Sequence, residues 1–600
     1  MKKIICIVCV IAIVISFCLQ SVFASEVANV SIEAYFEENK DTISGAAVIQ
    51  IKNGGITGEY YYGLADIENN LAVDESTVFE WASITKLLTW TSVMQLVERG
   101  EIELDRDIRE YLPEGFLTRL SYDKPITMLN LMHHNAGWAD VMTFHYTPKA
   151  MDLGNALKKY EPRQLYEPGT VEAYSSYGTA LAGYIVECVS GKQCWQYINE
   201  NIFDLLDMEN TTVHPTQSDR PDIATRRDKV KGYDESRKYI SNHRVYDYLY
   251  PAGSAMGTMD DMAKFVMALM PPDGNDSPLF QKRETLELML TPSLFFLENS
   301  PVIAHGFFIE LRNGKYFYGH SGGAKGFTCN LLFAPDTHEA LLVMTNTANE
   351  YVLCGGLAEK LLGILNLSST VETGESMAGE GTAKKVTGVY MSAVRYVDTF
   401  INLGRFMSPI IVTAKDDTTI ELFSIEYKQT EPYVFVSDDG YAVQFISKAG
   451  KVDMLAWPGS TFIKEPSELL VFECSLLGLL MLAAVYCIVT LCASGLRKLI
   501  SKPVKSRLRV ARNITCTFYL AIIANVFMCA QAAMSDPEYA SLVSHFIVSA
   551  LTLPAFVAYV WFFIKTDKKK YSKADVQLSV ITGICFLIEL ISVVVFNLWR

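Results

Sequence analysis

The stretch Ser83-Ile84-Thr85-Lys86 sets a serine and a lysine three residues apart at the head of a segment with helical apolar spacing. Ile84, Leu87, Leu88, Met94 and Val97 supply one apolar face and Gly100 the stop, so the pattern predicts a helix. Residues three apart on a helix are neighbours, about 5–6 Å apart at Cβ, which brings the Lys86 amine within reach of the Ser83 hydroxyl. A serine is a poor nucleophile without an adjacent base. Lysine, with an ordinary pKa of about 10.4, serves as that base only where burial or a nearby cation lowers the value. The pair therefore calls for a buried site with further groups; taken alone, it equally fits a helix-capping serine beside an exposed lysine. The chain repeats the pattern at Ser121-Tyr122-Asp123-Lys124, but Pro125 pushes Lys124 away from helical angles and the one-turn geometry is lost.

Strand signals flank this helix at both ends of one region. Ala46 to Ile51, a turn at Asn53-Gly54-Gly55, and Thr57 to Leu64 read as a β-hairpin. Tyr316 to Ser321, Phe327 to Phe333 and Ala340 to Thr345 read as three more strands, with turns at Gly322-Gly323 and Pro335-Asp336. Five strands drawn from the two ends predict an antiparallel sheet closing around a helical middle, an α/β (α+β) domain.

Two further motifs can join Ser83. Tyr174, in Ala173-Tyr174-Ser175-Ser176-Tyr177-Gly178, precedes an apolar helix that ends near Gly191. A phenol there can relay a proton between Ser83 and a leaving group if Lys86 lowers its pKa from about 10. Gly319-His320-Ser321-Gly322-Gly323 ends a strand, where paired glycines let a substrate approach the backbone and an amide can complete an oxyanion hole. One tyrosine or one strand-end histidine alone reads as structural. A metal site is not expected: His133 and His134 are adjacent, so they share no helix face, and no H-x-E-x-x-H or cysteine cluster accompanies them.

In their fixed order, S-x-x-K, Tyr-Ser-Ser and His-Ser-Gly resemble the serine β-lactamase-related hydrolases of the class C β-lactamase and D,D-peptidase type (peptidase S12-like), relatives of the S-x-x-K, S-D-N, K-T-G enzymes. Supporting phrases are Ile126-Thr127-Met128-Leu129-Asn130-Leu131-Met132-His133-His134-Asn135-Ala136-Gly137, Ile202-Phe203-Asp204-Leu205-Leu206-Asp207-Met208, Pro251-Ala252-Gly253 and Asp260-Asp261-Met262. The resemblance covers about residues 30–366 and implies a β-lactamase/transpeptidase-like domain with a five-stranded sheet and a helical subdomain. It implies Ser83 as the acylated nucleophile, Lys86 as its activating base and Tyr174 as the proton relay, with no cofactor. The amides of Ser83 and Gly323 would hold the oxyanion, and His320 would replace the lysine of K-T-G members, with Ser321 and Gly322 beside it. Ser176 stands where many members have asparagine, and His-Ser-Gly is nearer the His-Thr-Gly of some D,D-peptidases and esterases. Both departures turn the expectation away from penicillin hydrolysis and leave the acyl-enzyme core intact.

The ends of the chain point to a membrane. Lys2 and Lys3 precede the uncharged run Ile4 to Leu19, and Val22-Phe23-Ala24 before Ser25 resembles a signal-peptidase site, so residues 1–24 read as a signal peptide. Four apolar segments, about 474–495, 514–534, 546–564 and 578–598, approach the ~20 residues needed to span a bilayer. Arg497, Lys498, Lys502, Lys505, Arg507, Arg509 and Arg512 fill the first connecting loop, and Lys565, Lys568, Lys569, Lys570 and Lys573 the third. By the positive-inside rule both are cytoplasmic, which leaves residues 25–468 and the 535–545 loop, with Asp536 and Glu538, outside. Glu589, inside the last segment, reads either as a functional group or as a protonated carboxyl paired with a neighbour such as Asn525.

Residues 25–470 hold 37 basic and 61 acidic side chains, a net of −24, which argues against nucleic-acid partners. Cys188, Cys194, Cys329 and Cys354 form no disulfide framework, and spacing leaves a Cys188–Cys194 pair undecided. Residues 367–386, rich in Ser, Thr, Gly and Glu, read as a linker, and 387–467 as a small β-rich module before the membrane region at 469–600. The expected activity is that of a membrane-tethered extracytoplasmic serine hydrolase cutting peptide or amide bonds, next to D-amino acids, through an acyl-enzyme. The alternatives are a peptidase that removes D-amino-acyl caps from prodrugs, an esterase, a β-lactamase and, from another class, a membrane sensor acylated by β-lactams.

Overall fold

In the computed structural model the described residues are 31–140, 146–147, 151–241, 246–272, 274–297, 300–348, 351–363, 365, 381–397, 402, 405–406, 408–438, 440–448, 451–457, 459–500, 506–535 and 551–596. The expected signal segment lies outside them, as do the 366–380 part of the expected linker and the 536–550 stretch.

The main sheet is antiparallel and has nine strands: β1 (Gly45–Lys52), β2 (Gly55–Asp66), β3 (Leu71–Ala72), β4 (Leu294–Leu297), β5 (Ser300–Ala304), β6 (Phe307–Arg312), β7 (Lys315–Ala324), β8 (Phe327–Ala334) and β9 (Glu339–Thr345). Their order is β4-β5-β6-β7-β8-β9-β1-β2-β3. The five expected strands are its contiguous centre, β7-β8-β9-β1-β2, and the expected count of five is corrected to nine. Four strands were missed, all toward the two edges: β3 and β4 are short and exposed or half-exposed and lack the apolar alternation that marks a strand, β5 is buried only at its last three residues, and β6 alternates only from Phe307 to Ile309. The two chain ends meet where β1 pairs with β9, Ala46 opposite Thr345 and Ile51 opposite Ala340.

Both faces of β1 are covered, as its almost unbroken burial requires. Ala46 and Val48 pack with Ile32, Tyr35, Phe36, Leu353 and Leu357 of the terminal helices. Ala47, Ile49 and Ile51 face the helical middle, where α1 (Thr85–Glu98) is buried from Thr85 to Leu96. α1 is thus a core helix rather than the one-faced helix its sequence spacing suggested, and it runs up to Gly100 at φ +74°. The second S-x-x-K copy is not helical: Ser121 Oγ donates to the Gln164 carbonyl at 2.8 Å, and Lys124 pairs with Glu167 at 3.4 Å. Cys188 is exposed and Cys194 buried, and both are free thiols.

The β-rich module is a closed eight-stranded barrel running from Gly388–Ser392 to Ser460–Lys464, and these two strands pair to close it. Tyr390, Ile420, Leu422, Phe435, Val443 and Leu455 fill its interior. A short helix, Ala383–Val386, buries Ala383 and Val386 in the same core, so the expected linker ends before residue 383.

Among the described residues four helices follow: α3 (Ser467–Ile500), α4 (Arg507–Ser535), α5 (Thr552–Lys565) and α6 (Lys573–Val595). Two spans, Ser467–Arg497 and Lys573–Val595, are long and apolar enough to cross a membrane, each with a mean hydropathy of 2.5. Arg509 and Arg512 of α4 pair with Asp575 of α6 at 3.2 and 3.5 Å. The Tyr486, Tyr519 and Tyr559 hydroxyls donate to carbonyls of neighbouring helices at 2.7 Å. Glu589 is buried, and its carboxyl oxygens have no hydrogen-bond partner among the described residues, so the expected pairing with Asn525 is not formed.

One glycine controls how the sheet meets the helical middle. A Cβ at Gly322 would stand 2.4 Å from the Trp81 carbonyl oxygen and 2.5 Å from Cys329 Sγ, whereas one at Gly323 would meet nothing within 4 Å. Gly322→Ala is therefore expected to cost about 1–3 kcal/mol through overpacking, and Gly323→Ala to leave stability unchanged. Thermal unfolding of the two variants checks this, and equal midpoints would contradict the packing described.

Candidate active site

Ser83 sits in a one-turn 3-10 helix, Ala82–Ile84, that runs straight into α1. The residue before it, Ala82, has φ +47°, the left-handed region that non-glycine residues avoid, so the turn holds local strain. Neighbouring contacts fix this turn. Thr85 Oγ1 donates to the Ala82 carbonyl at 2.5 Å, the Trp81 amide donates to the Ala255 carbonyl at 2.8 Å, and Cys329 Sγ on β8 donates to the Trp81 carbonyl at 3.0 Å. Just upstream, the buried Arg227 guanidinium bonds Glu80, with its Nε 2.8 Å from Oε1, and lies 4.4 Å from the Phe327 ring centre.

The S-x-x-K geometry holds. Lys86 Nζ is 3.0 Å from Ser83 Oγ and donates to the Ala252 carbonyl at 2.7 Å. Lys86 is fully buried, while Ser83 keeps partial exposure. This meets the burial condition that separates a paired base from a solvated lysine. Ala252 belongs to the Pro251-Ala252-Gly253 phrase, whose role sequence could not give: the Pro251 carbonyl accepts from Thr89 and the Ala252 carbonyl from Lys86.

Tyr174 enters from the loop before α2 (Ser176–Ser190), the helix expected after it, which stops at Gly191 with φ +70°. The Ser175 hydroxyl accepts from the Gly178 amide at 3.0 Å and caps that helix, fixing where Tyr174 leaves the loop. The phenol faces Ser83, and its ring centre is 4.9 Å from Lys86 Nζ. Burial holds the phenol above its ordinary pKa; contact with Ser83 works the other way, and the Asp140 charge adds to the rise. The expected lowering by Lys86 is not met, because burial dominates. Tyr174 is a neutral phenol at neutral pH.

His320 on β7 completes the floor, its ring 6.0 Å from that of Tyr174. Burial, followed by the Lys86 charge, lowers its pKa to about 3. An uncharged imidazole therefore stands beside Tyr174 and Lys86. β6 pairs with β7 only as far as Phe308 opposite Gly319, so Ser321, Gly322 and Gly323 leave one edge without a strand partner near the Ser83 turn. Ser321 and Gly323 are exposed, Gly322 is buried, and Ser176 is half-buried at the first turn of α2.

Two site residues were missed as such. His134 packs at a tilt against Tyr174 with centroids 4.5 Å apart, and its Nδ1 accepts from the Ser175 amide at 3.3 Å. Burial keeps it neutral, with the Lys86 charge adding to the effect. Phe308 packs against His320 at 5.0 Å and His134 at 6.0 Å. His134 had been weighed as a metal ligand and noted in a family phrase; Phe308, one aromatic among many in strand sequence, gave no signal. Among the described residues no group of three or more His, Cys, Asp or Glu side chains could hold a metal ion.

Comparison with known proteins places this geometry. Protein flp of Staphylococcus aureus (strain MW2) is 25% identical over 319 residues, which cover 52% of this chain and 61% of flp, so the chain spans less than two thirds of that relative. PbpX of Bacillus subtilis (strain 168), which carries a penicillin-binding protein's name, is 26% identical over 324 residues, 54% of this chain and 75% of PbpX. A crystal structure of SurE shares the fold at a TM-score of 0.52 and 22% identity, covering 72% of this chain and 97% of SurE. The beta-lactamase family model matches residues 32–353, more than half of the 600 residues, and the chain belongs to the beta-lactamase family.

Proposed function

We propose that this protein is a serine hydrolase that cuts peptide or amide bonds next to D-amino acids through an acyl-enzyme on Ser83. The observation that carries the reading is the 3.0 Å contact between the buried Lys86 amine and the Ser83 hydroxyl. In the reaction, Lys86 takes the Ser83 proton while the Ala252 carbonyl keeps the amine in place. Ser83 Oγ adds to the substrate carbonyl, and the amides of Ser83 and Gly323 receive the oxyanion. Neutral Tyr174 passes its proton to the leaving amine and is reprotonated through Lys86; water then releases the acyl group by the same route in reverse. Preference for a D-amino acid follows the sequence resemblance, and PbpX carries a name for binding penicillin. Prodrug-cap removal, ester cleavage, β-lactam hydrolysis and a β-lactam sensor remain outcomes that substrate panels separate.

The same reading has the catalytic domain and barrel outside the cell, tethered by a multi-pass helical region. The two long apolar helices and the basic loops support it. Protease added to sealed, right-side-out membranes is expected to digest residues 31–464 and spare the helices; protection of the catalytic domain would reverse the orientation.

Ser83→Ala and Lys86→Ala are each expected to lower kcat by on the order of 10³-fold or more, and Tyr174→Phe by about 10²-fold, on D-aminoacyl peptides and esters. Turnover by Ser83→Ala equal to that of the parent would remove the nucleophile.

The chemistry also needs His320, whose pKa the Lys86 charge helps to lower, to stay uncharged, and a second buried imidazole, His133, behaves alike. His320 is held to about 3 and His133, buried and close to His305, to about 4, against 6.5 ordinarily. Below pH 6.5 the unfolded chain takes up protons at these positions that the native state refuses, so stability falls as pH drops toward 4. The slope is up to about 1.4 kcal/mol per pH unit at each site. Urea midpoints at pH 7 and pH 5 test this, and His320→Gln is expected to flatten the difference. Equal midpoints at the two pH values would contradict it.

A further inference from the structure

The barrel reaches the active site from two directions. Its segment after the first strand, Ala393 to Tyr396, lies along the loop that delivers Tyr174. Val171 and Ala173, two of the residues leading into Tyr174, form one buried cluster with Ala393, against which Val394, Met454 and Ile463 of the barrel pack. The Tyr166 hydroxyl donates to the Ala393 carbonyl at 3.0 Å. On the opposite side, a Cβ built on Gly459, in the turn between the last two barrel strands, would lie 4.0 Å from Phe308 Cε1. Phe308 in turn packs on His320 and His134.

The two domains are joined most directly at Asp140. Its amide donates to the Arg395 carbonyl at 2.9 Å, and its Oδ2 accepts from the Tyr396 hydroxyl at 3.2 Å. The same carboxylate is close enough to Tyr174 for its charge to act on the phenol. A residue at the edge of the site thus makes two hydrogen bonds, one from its amide and one to its carboxylate, with a domain outside the matched residues 32–353.

We propose that Tyr396 of the barrel is a positioning residue of the active site, acting through Asp140 to fix the setting in which Tyr174 transfers its proton, so that the barrel is part of the catalytic unit. The titratable groups around Tyr174 belong to this setting: Lys86 from α1, the neutral imidazoles of His134 and of His320 on β7, and Asp140. A hydroxyl bonded to a carboxylate is among the stronger hydrogen bonds. Its loss changes how the carboxylate is held beside the loop that delivers Tyr174. In this role Tyr396 has no contact with substrate, so the loss is expected to fall on the chemical step.

This rests on the serine-hydrolase reading, and a double-mutant cycle on the full-length protein in detergent keeps the two apart. Tyr396→Phe, Asp140→Asn and the double variant are assayed with a chromogenic D-aminoacyl ester beside Ser83→Ala, with thermal midpoints for each. Each single change is expected to lower kcat about tenfold, the size of one charge-assisted hydrogen bond, with KM within about twofold. The double variant should be no slower than Asp140→Asn alone. Losses that multiply to about a hundredfold and follow the thermal midpoints would overturn the positioning role, as would a Tyr396→Phe protein with the parent's kcat. If Asp140→Asn does not fold, Tyr396→Phe alone decides. Turnover that survives Ser83→Ala would instead overturn the serine reading and this proposal with it.

Discussion

A lysine amine buried in a protein must find oxygen partners, and here it finds the Ser83 hydroxyl and the Ala252 carbonyl. That single requirement orders much of the catalytic domain. It brings the Pro251–Gly253 segment against α1, which is a core helix with no solvent face over most of its length. It also sets Ser83 at the mouth of the helix, on a turn whose strained Ala82 is held by contacts from Thr85, Ala255 and Cys329. Gly322 allows β7 to press against this turn, and the strand brings His320 with it. The site thus rests on close backbone approach as much as on its reactive side chains.

The centre of this arrangement was legible in the sequence, and its edges were not. Strands β1, β2, β7, β8 and β9 announce themselves because each is a long run of β-forming residues bounded by turn signals. β3 and β4 do not, since two to four exposed or half-exposed residues leave no periodicity to read, while β5, buried only at its last three residues, and β6, alternating only from Phe307 to Ile309, offer too little. Ser83, Lys86 and Tyr174 could be ordered along the chain, yet the environment of Tyr174 could not: burial overrides the lysine that was expected to acidify it. Likewise the charge state of His320 depends on neighbours from α1 and β7 that no local window contains. His134 and Phe308 are site residues only because the fold stacks them there.

Beyond residue 366 the sequence signalled a β-rich module and apolar segments, and the fold gives them definite roles. A barrel closed by its first and last strands has no free edge, which suits a module standing between a catalytic domain and apolar helices. From its rim, Arg395 pairs with Glu465, and Arg405 spans Glu465 at 3.8 Å and Glu473 at the head of α3. Arg395 therefore gives its carbonyl to Asp140 and its guanidinium to the chain of charges that leads to the helices. Catalytic domain, barrel and helices are joined through polar contacts at this corner.

The most direct test of the account is to locate the acyl group during turnover. Full-length protein quenched in acid while consuming a D-aminoacyl ester can be digested and its peptides weighed. The account predicts the substrate's acyl mass on the peptide containing Ser83, and no such mass when Lys86 is replaced by methionine. Steady turnover with Ser83 unmodified, or the acyl group on another residue, would contradict it.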